Sequence, residues 1–144
     1  MRTSVSPEVT TRLRLAVTRL NRRLRQQALD DVTPSQLSAL STIEHHGPIT
    51  LGDLAAHERV QPPTMTRIVA ALEELGLVHR DVDAADRRIA RVSITAEGQR
   101  LLDRTRTRKN AFLAVQLGRL TADELVVVEQ AIPLLERLVE ERRT

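Results

Sequence analysis

The chain contains no cysteine, no tryptophan and no tyrosine, and its single phenylalanine is Phe112. Without cysteine, disulfides, thiolate metal sites and a thiol redox switch are all excluded. Without aromatics, a core has to be built from Leu, Val, Ile and Ala, and no Tyr or Trp ring can stack on a ligand. Lysine is nearly missing too: of 22 basic residues only Lys109 is not arginine. Arg does not titrate near neutrality and forks bidentately onto phosphates and guanine edges; codon bias accounts for much of the ratio. No apolar run approaches the roughly 18 residues of a membrane span, and the first residues lack the apolar core of a signal peptide. A cytoplasmic location with no membrane partner is expected. A Gly-rich phosphate loop, a nucleophile elbow and an HExxH pattern are also missing, which argues against an enzyme.

What is present fits a soluble, mainly helical protein. The 144 residues are 41% hydrophobic and 28% charged, suited to one compact domain or to a DNA module joined to an oligomerisation module. The net charge of +3 hides local basic surface. Residues 2–25 carry seven Arg against one acid, Glu8, and residues 99–110 carry five basic residues against Asp103. Such clusters are the electrostatic footprint of a polyanion partner, although a solvated helix face is the plainer explanation for the first.

Along the chain, Ser6-Pro7-Glu8 opens a helix as cap, first-turn proline and first-turn acid. Its apolar residues recur with helical period at Val9, Leu13, Ala16, Val17, Leu20 and Leu24, and Asp30 and Asp31 end it. Thr33 to Gln36 is a capping box for a second helix through Leu37, Leu40 and Ile43. Gly47 is expected to close that helix in the left-handed conformation, ahead of Pro48. Thr50 caps a third helix with Leu51, Leu54 and Ala55 inward. Val60 sits in a turn, and Pro62-Pro63 starts a fourth helix whose buried stripe is Met65, Ile68, Val69, Leu72 and Leu75, capped by Gly76. Two short strands follow around a loop near residues 83–88, the second alternating Ala90, Val92 and Ile94 with Arg91 and Ser93. Thr95 opens a long helix that is polar all round from Asp103 to Asn110, and so is expected to be solvated there or to bridge domains. Thr121 to Glu124 is a second capping box, and Pro133 should kink the last helix. Helix, turn, helix and paired strands make this a mainly α fold with a small two-stranded β-wing: a winged helix-turn-helix over residues 33–95, with helical regions over 1–32 and 96–144.

The chemistry of a DNA reader is legible here. A helix N-terminus offers free N–H groups to phosphate, and side chains in its first two turns reach base edges. These are Gln61, Pro62, Pro63, Thr64, Thr66 and Arg67. Arg67 can fork onto guanine and Gln61 can pair with adenine, while the threonines can serve phosphate or a thymine methyl; the plainer reading of Arg67 is an ion pair with Glu58 or Glu74. In the wing, Arg87 or Arg88 can enter a narrow minor groove, and Arg88 is favoured. The histidines, His45, His46, His57 and His79, lack metal-ligand spacing, so no cofactor or metal is expected.

The run from Leu54 through Val60-Gln61-Pro62-Pro63-Thr64-Met65-Thr66-Arg67 to Leu75-Gly76-Leu77-Val78 resembles the MarR family of transcription regulators. So does Asp83-Ala84-Ala85-Asp86-Arg87-Arg88 followed by Val92-Ser93-Ile94-Thr95-Ala96-Glu97-Gly98. Ile94 stands where the family usually has Leu, Arg59 where such turns often have Gly, and Gln61 where Ser or Thr is commoner. The resemblance implies a homodimer built from the N- and C-terminal helices, a repressor of a pseudo-palindromic operator in double-stranded DNA, and Asp86 holding the wing arginine. It also implies a small-molecule effector between the dimer helices and the reader, in a pocket of aliphatic residues, Arg, His and Phe112. The competing expectation is a helical winged-domain module that binds a protein or a small molecule without DNA.

Overall fold

The computed structural model describes residues 2–28 and 31–140. Asp30 as a helix terminator and residues 141–143 as a solvated tail lie outside them. Six helices and three strands follow in the order α1 (Pro7–Arg25), α2 (Pro34–His46), β1 (Ile49–Thr50), α3 (Leu51–Glu58), α4 (Pro62–Glu74), β2 (Val78–Val82), β3 (Ala90–Ile94), α5 (Ala96–Leu117) and α6 (Ala122–Val139). The chain divides into two compact units, Met1–Lys109 and Asn110–Thr144, the division falling within α5.

In the first unit the helix starts are set locally. The Ser6 hydroxyl accepts from the Glu8 N–H at 3.2 Å, Thr33 and Gln36 form both bonds of the capping box, and the Thr50 hydroxyl accepts from the Asp53 N–H. Each satisfies an N–H that the helix cannot. α4 ends as the glycine pattern requires. Gly76 has φ +75°, its N–H reaches the Glu73 carbonyl, and the Leu77 N–H reaches Leu72, the paired bonds of a left-handed helix stop. Leu75, expected in the buried stripe, is the C-cap and stays largely exposed, because the chain turns away there.

Gly47 departs from expectation. Its φ and ψ are −71° and 148°, extended rather than left-handed. Glycine is needed for closeness instead: a Cβ would lie 2.6 Å from the Ile43 carbonyl oxygen. The left-handed residue is Arg59, at φ 54° and ψ 43°. Its N–H reaches Ala56 and the Val60 N–H reaches Ala55, so an arginine holds the glycine position of the turn between α3 and α4.

The two strands of the wing, β2 and β3, belong to a three-stranded sheet in the order β1-β3-β2. β2 pairs antiparallel with β3 from Val78↔Ile94 to Val82↔Ala90. β1 adds Ile49↔Val92 and Thr50↔Arg91 on the other side, which buries Val92 completely. Ala39, Leu40, Ile43, Leu54, Met65, Val69, Leu72 and Val92 form the innermost core, entirely aliphatic apart from methionine.

The polar middle of α5 is only partly solvated. Thr105 is 3% exposed, and Arg106 chelates Glu44 of α2. α1 contributes no buried residue, and Val9, Leu13, Val17 and Leu20 are exposed. In the second unit Thr121 and Glu124 form both bonds of a capping box, and α6 is continuous through Pro133. No α6 residue is buried, and Ile132, Leu135, Leu138 and Val139 are exposed. Among the described residues no helix is long and apolar enough to cross a membrane.

Candidate nucleic-acid interface

Gln61 is the N-cap of α4 but makes no side-chain capping bond. Its backbone carbonyl takes the Thr64 and Met65 N–H groups, and its exposed side-chain amide is left available. Pro62 and Pro63 occupy the first turn, where a missing N–H costs no helical bond. Thr66 donates its hydroxyl to the Pro62 carbonyl at 3.0 Å. That leaves its methyl group and an acceptor lone pair outward, and makes it a weak donor to phosphate. Thr64 is half-buried and Arg67 exposed.

Arg67 has no carboxylate partner among the described residues. Glu58, which could have paired with it, instead accepts the hydroxyls of Ser38, at 2.7 Å, and Thr42. α3 is thereby tied to α2, and the guanidinium of α4 faces outward uncommitted.

The wing is built around two aspartates. Asp86 takes Arg88 in a fork, Oδ1 accepting from Nε at 3.0 Å and Oδ2 from Nη2 at 3.1 Å, while Oδ1 also accepts the Arg88 backbone N–H. The Arg88 side chain is nonetheless 90% exposed: its guanidinium is held on Asp86 through Nε and Nη2 while the side chain stays in solvent. The arginine contacts hold the Asp86 carboxyl below the usual carboxylate range and raise Arg88 further above its ordinary value. Arg87 has no acidic partner among the described residues, so the acid chooses Arg88.

Asp83 is the residue that sequence reasoning missed. Its Oδ1 accepts the Ala85 and Asp86 N–H groups at 2.8 and 3.1 Å, an Asx turn, and its Oδ2 accepts from Arg91 of β3 at 2.8 Å. Arg91 first and the two backbone donors next lower its pKa to about 2. Two carboxylates three residues apart, beside a strand bearing Arg, were the available signal. The Asp83 N–H to Ile89 carbonyl and Ile89 N–H to Asp86 carbonyl bonds close the tip without glycine.

Reader helix and wing are joined as well. The Arg80 Nε of β2 lies 3.7 Å from Glu73 of α4. The Thr95 hydroxyl donates to the Gly76 carbonyl at 2.7 Å and the Thr95 N–H to the Leu77 carbonyl. Among the described residues no group of three or more His, Asp or Glu could hold a metal ion; His46 and His57 simply stack, ring centroids 4.4 Å apart.

The profile of the MarR family matches residues 32–90. The chain is similar to the uncharacterized HTH-type transcriptional regulator Mb0904 of Mycobacterium bovis, 40% identical over 130 residues that cover 90% of this chain and 91% of the relative. It is also similar to the HTH-type transcriptional repressor MdtR of Bacillus subtilis, 29% identical and covering 78% of this chain and 71% of that one. A solved structure of a MepR mutant from S. aureus, bound to an oligodeoxyribonucleotide, shares the fold with a TM-score of 0.70 at 19% identity, over 95% of this chain and all of that one. With the profile spanning the helix-turn-helix and the wing as far as the start of β3, and the relatives extending beyond it on both sides, the chain belongs to the MarR family and is a winged helix-turn-helix transcription regulator.

Proposed function

We propose that the protein acts as a homodimeric, sequence-specific repressor in the cytoplasm, without enzymatic activity, that covers a pseudo-palindromic operator. Residues 33–95 read DNA, and residues 1–32 and 96–144 form the dimer. α4 enters the major groove with Gln61, Pro62, Pro63, Thr64, Thr66 and Arg67, while Arg88, oriented by Asp86, enters the minor groove. The observation that carries this reading is the uncommitted Arg67 guanidinium on an exposed helix start, beside an arginine that the wing holds outward. Arg67 can fork onto guanine O6 and N7. The exposed apolar faces of α1 and α6 support a second copy as the covering partner, since a monomer rarely leaves such surface in water.

Selection of bound sequences from random duplex DNA tests it. An inverted repeat with half-site centres about 34–36 Å apart is expected, and enrichment of no sequence at any salt concentration would overturn the reading in favour of a protein-interaction module. Release by a small molecule belongs to the same proposal. A cavity of about 320 Å³ opens between α1, α2 and α5 in the first unit, at the small end of ligand sites. Aliphatic side chains, Arg25, Arg106, Lys109 and several hydroxyls line it, with no His and no aromatic ring among the described residues.

A further inference from the structure

The first turn of α4 has little to offer a phosphate. Pro62 and Pro63 carry no N–H, and the N–H groups of Thr64 and Met65 are both taken by the Gln61 carbonyl, at 3.0 and 3.2 Å. The free donors that make a helix start an anion site are therefore missing from this turn. Thr66 does not replace them. Its hydroxyl is donated to the Pro62 carbonyl at 3.0 Å, the back-bond open to a helical threonine. Thr10, Thr18 and Thr107 make the same bond.

What this surface does present is carbon. Pro62, Pro63, Thr66 and Ala70 are all exposed, whereas Met65, Val69 and Leu72 of the same helix are buried. Residues three and four apart are neighbours on a helix, so Thr66 has Pro62 and Pro63 on one side and Ala70 on the other. Two proline rings and two methyl groups form one apolar stripe on the exposed face. Gln61, whose amide makes no capping bond, precedes the stripe, and the exposed Arg67 lies beside it.

We infer that this stripe reads the 5-methyl group of a pyrimidine in the major groove. Each operator half-site then carries a thymine facing Thr66, and 5-methylcytosine at that position is preferred to cytosine. Thymine shows a methyl group in that groove, where the other bases show hydrogen-bond donors and acceptors, and methylated cytosine shows the same methyl group at the same ring carbon. This rests on the proposed function, which puts α4 in the groove, and adds the atom that is read there. Arg67 and Gln61 make the hydrogen-bonded base contacts, and the stripe between them discriminates without any hydrogen bond. A base acceptor or a phosphate placed against it would meet no donor, whereas a methyl group leaves water and gains about fourfold in affinity.

Binding of the full-length protein to the operator obtained by selection from random duplex DNA, followed by fluorescence anisotropy, is the test. Exchange of thymine for deoxyuridine keeps the hydrogen bonds of the base pair and removes only the methyl group. At one thymine or more in each half-site the exchange should weaken binding about fourfold, and about tenfold or more with both half-sites exchanged. Cytosine placed there should bind less tightly than 5-methylcytosine by a similar factor. Thr66→Ser keeps the hydroxyl and lacks the methyl group, so it should lose most of the deoxyuridine penalty. Thr66→Val keeps a methyl group and lacks the hydroxyl, so it should retain the penalty. Arg88→Ala should retain it as well, because the methyl group lies in the major groove and Arg88 is assigned to the minor one. A selected operator indifferent to deoxyuridine at every thymine overturns this inference alone. So does a penalty that survives undiminished in Thr66→Ser, or one that vanishes in Thr66→Val or Arg88→Ala. Enrichment of no sequence at all overturns the proposed function, and this inference with it.

Discussion

Arg59 occupies a backbone conformation that costs an ordinary L-residue about 1–2 kcal/mol. Glycine adopts it without steric cost but loses more freedom on folding. Arg59→Gly is therefore expected to stabilise the fold by about 0.5–1 kcal/mol, read as a raised urea midpoint; an unchanged or lowered midpoint would mean that the arginine's own contacts outweigh the strain. In the proposed function Asp86 works differently, by fixing the position of Arg88 before DNA arrives. Ordering a long side chain at an interface costs about 0.5–1.5 kcal/mol, so Asp86→Ala should weaken operator binding roughly two- to tenfold while leaving thermal stability nearly unchanged. A gel-shift affinity equal to the parent's would remove Asp86 from that role. The family resemblance implied this pair, whose two members are two residues apart. The Asp83–Arg91 clamp spans the hairpin and depends on strand register, so only the folded wing brings it together.

Helix boundaries were readable wherever the determinant was local. Ser6, Thr33 with Gln36, Thr50, Gly76, and Thr121 with Glu124 all act within a few residues of themselves. β1 was not readable, because a two-residue strand exists only through pairing with Val92 and Arg91, some forty positions on. The same holds for the contact between α2 and α5. Glu44 meets Arg106 across 62 positions, a contact that the polar pattern of α5, which fits a solvated or a domain-bridging stretch, does not specify. Arg106 above all, with Gln99 and His45 adding to it, lowers the Glu44 carboxyl from 4.5 to about 2. A depressed folded-state pKa stabilises the fold above the unfolded value and loses that contribution as pH falls through the folded one. The urea midpoints of the parent and Glu44→Gln should thus differ fully at pH 6 and converge between about pH 4.5 and 2. A gap independent of pH would mean that the ion pair is not its source. Packing between elements also assigns the glycines different tasks. A Cβ on Gly98 would lie 2.2 Å from the Leu77 carbonyl oxygen and 2.8 Å from Ile94 Cγ1, whereas one on Gly52 would meet nothing within 4 Å. Gly98→Ala should destabilise by about 2 kcal/mol or more, and Gly52→Ala should be neutral or mildly stabilising. Equal midpoints for the two variants in chemical denaturation would contradict the crowding at Gly98.

For the molecule as a whole, the surface left apolar is as informative as the surface left basic. α1 exposes Val9, Leu13, Val17 and Leu20 along one stripe, and α6 exposes Ile132, Leu135 and Leu138. If a second copy covers them, as proposed, Leu13→Glu/Leu135→Glu should sediment as a folded monomer at micromolar concentration and lose most of its operator affinity. A dimer persisting in that variant would move the interface elsewhere. The apolar periodicity of both helices was plain in the sequence, but periodicity marks only which residues share a face, not whether that face meets its own chain or another.

Thr95 and Gly98 give the molecule a mechanical property. Thr95 is bonded to the Gly76 and Leu77 carbonyls, its hydroxyl also caps the Gly98 N–H, and Gly98 has no slack against Leu77. The start of α5 is thus welded to the end of α4 and the root of β2. A rotation of α5 caused at Thr105 or Arg106, two to three turns further along the same helix, has no soft joint in which to dissipate. If two copies pair as proposed, α4 and the wing would follow a tilt of α5 together, and the distance between the two copies' α4 helices would change with it.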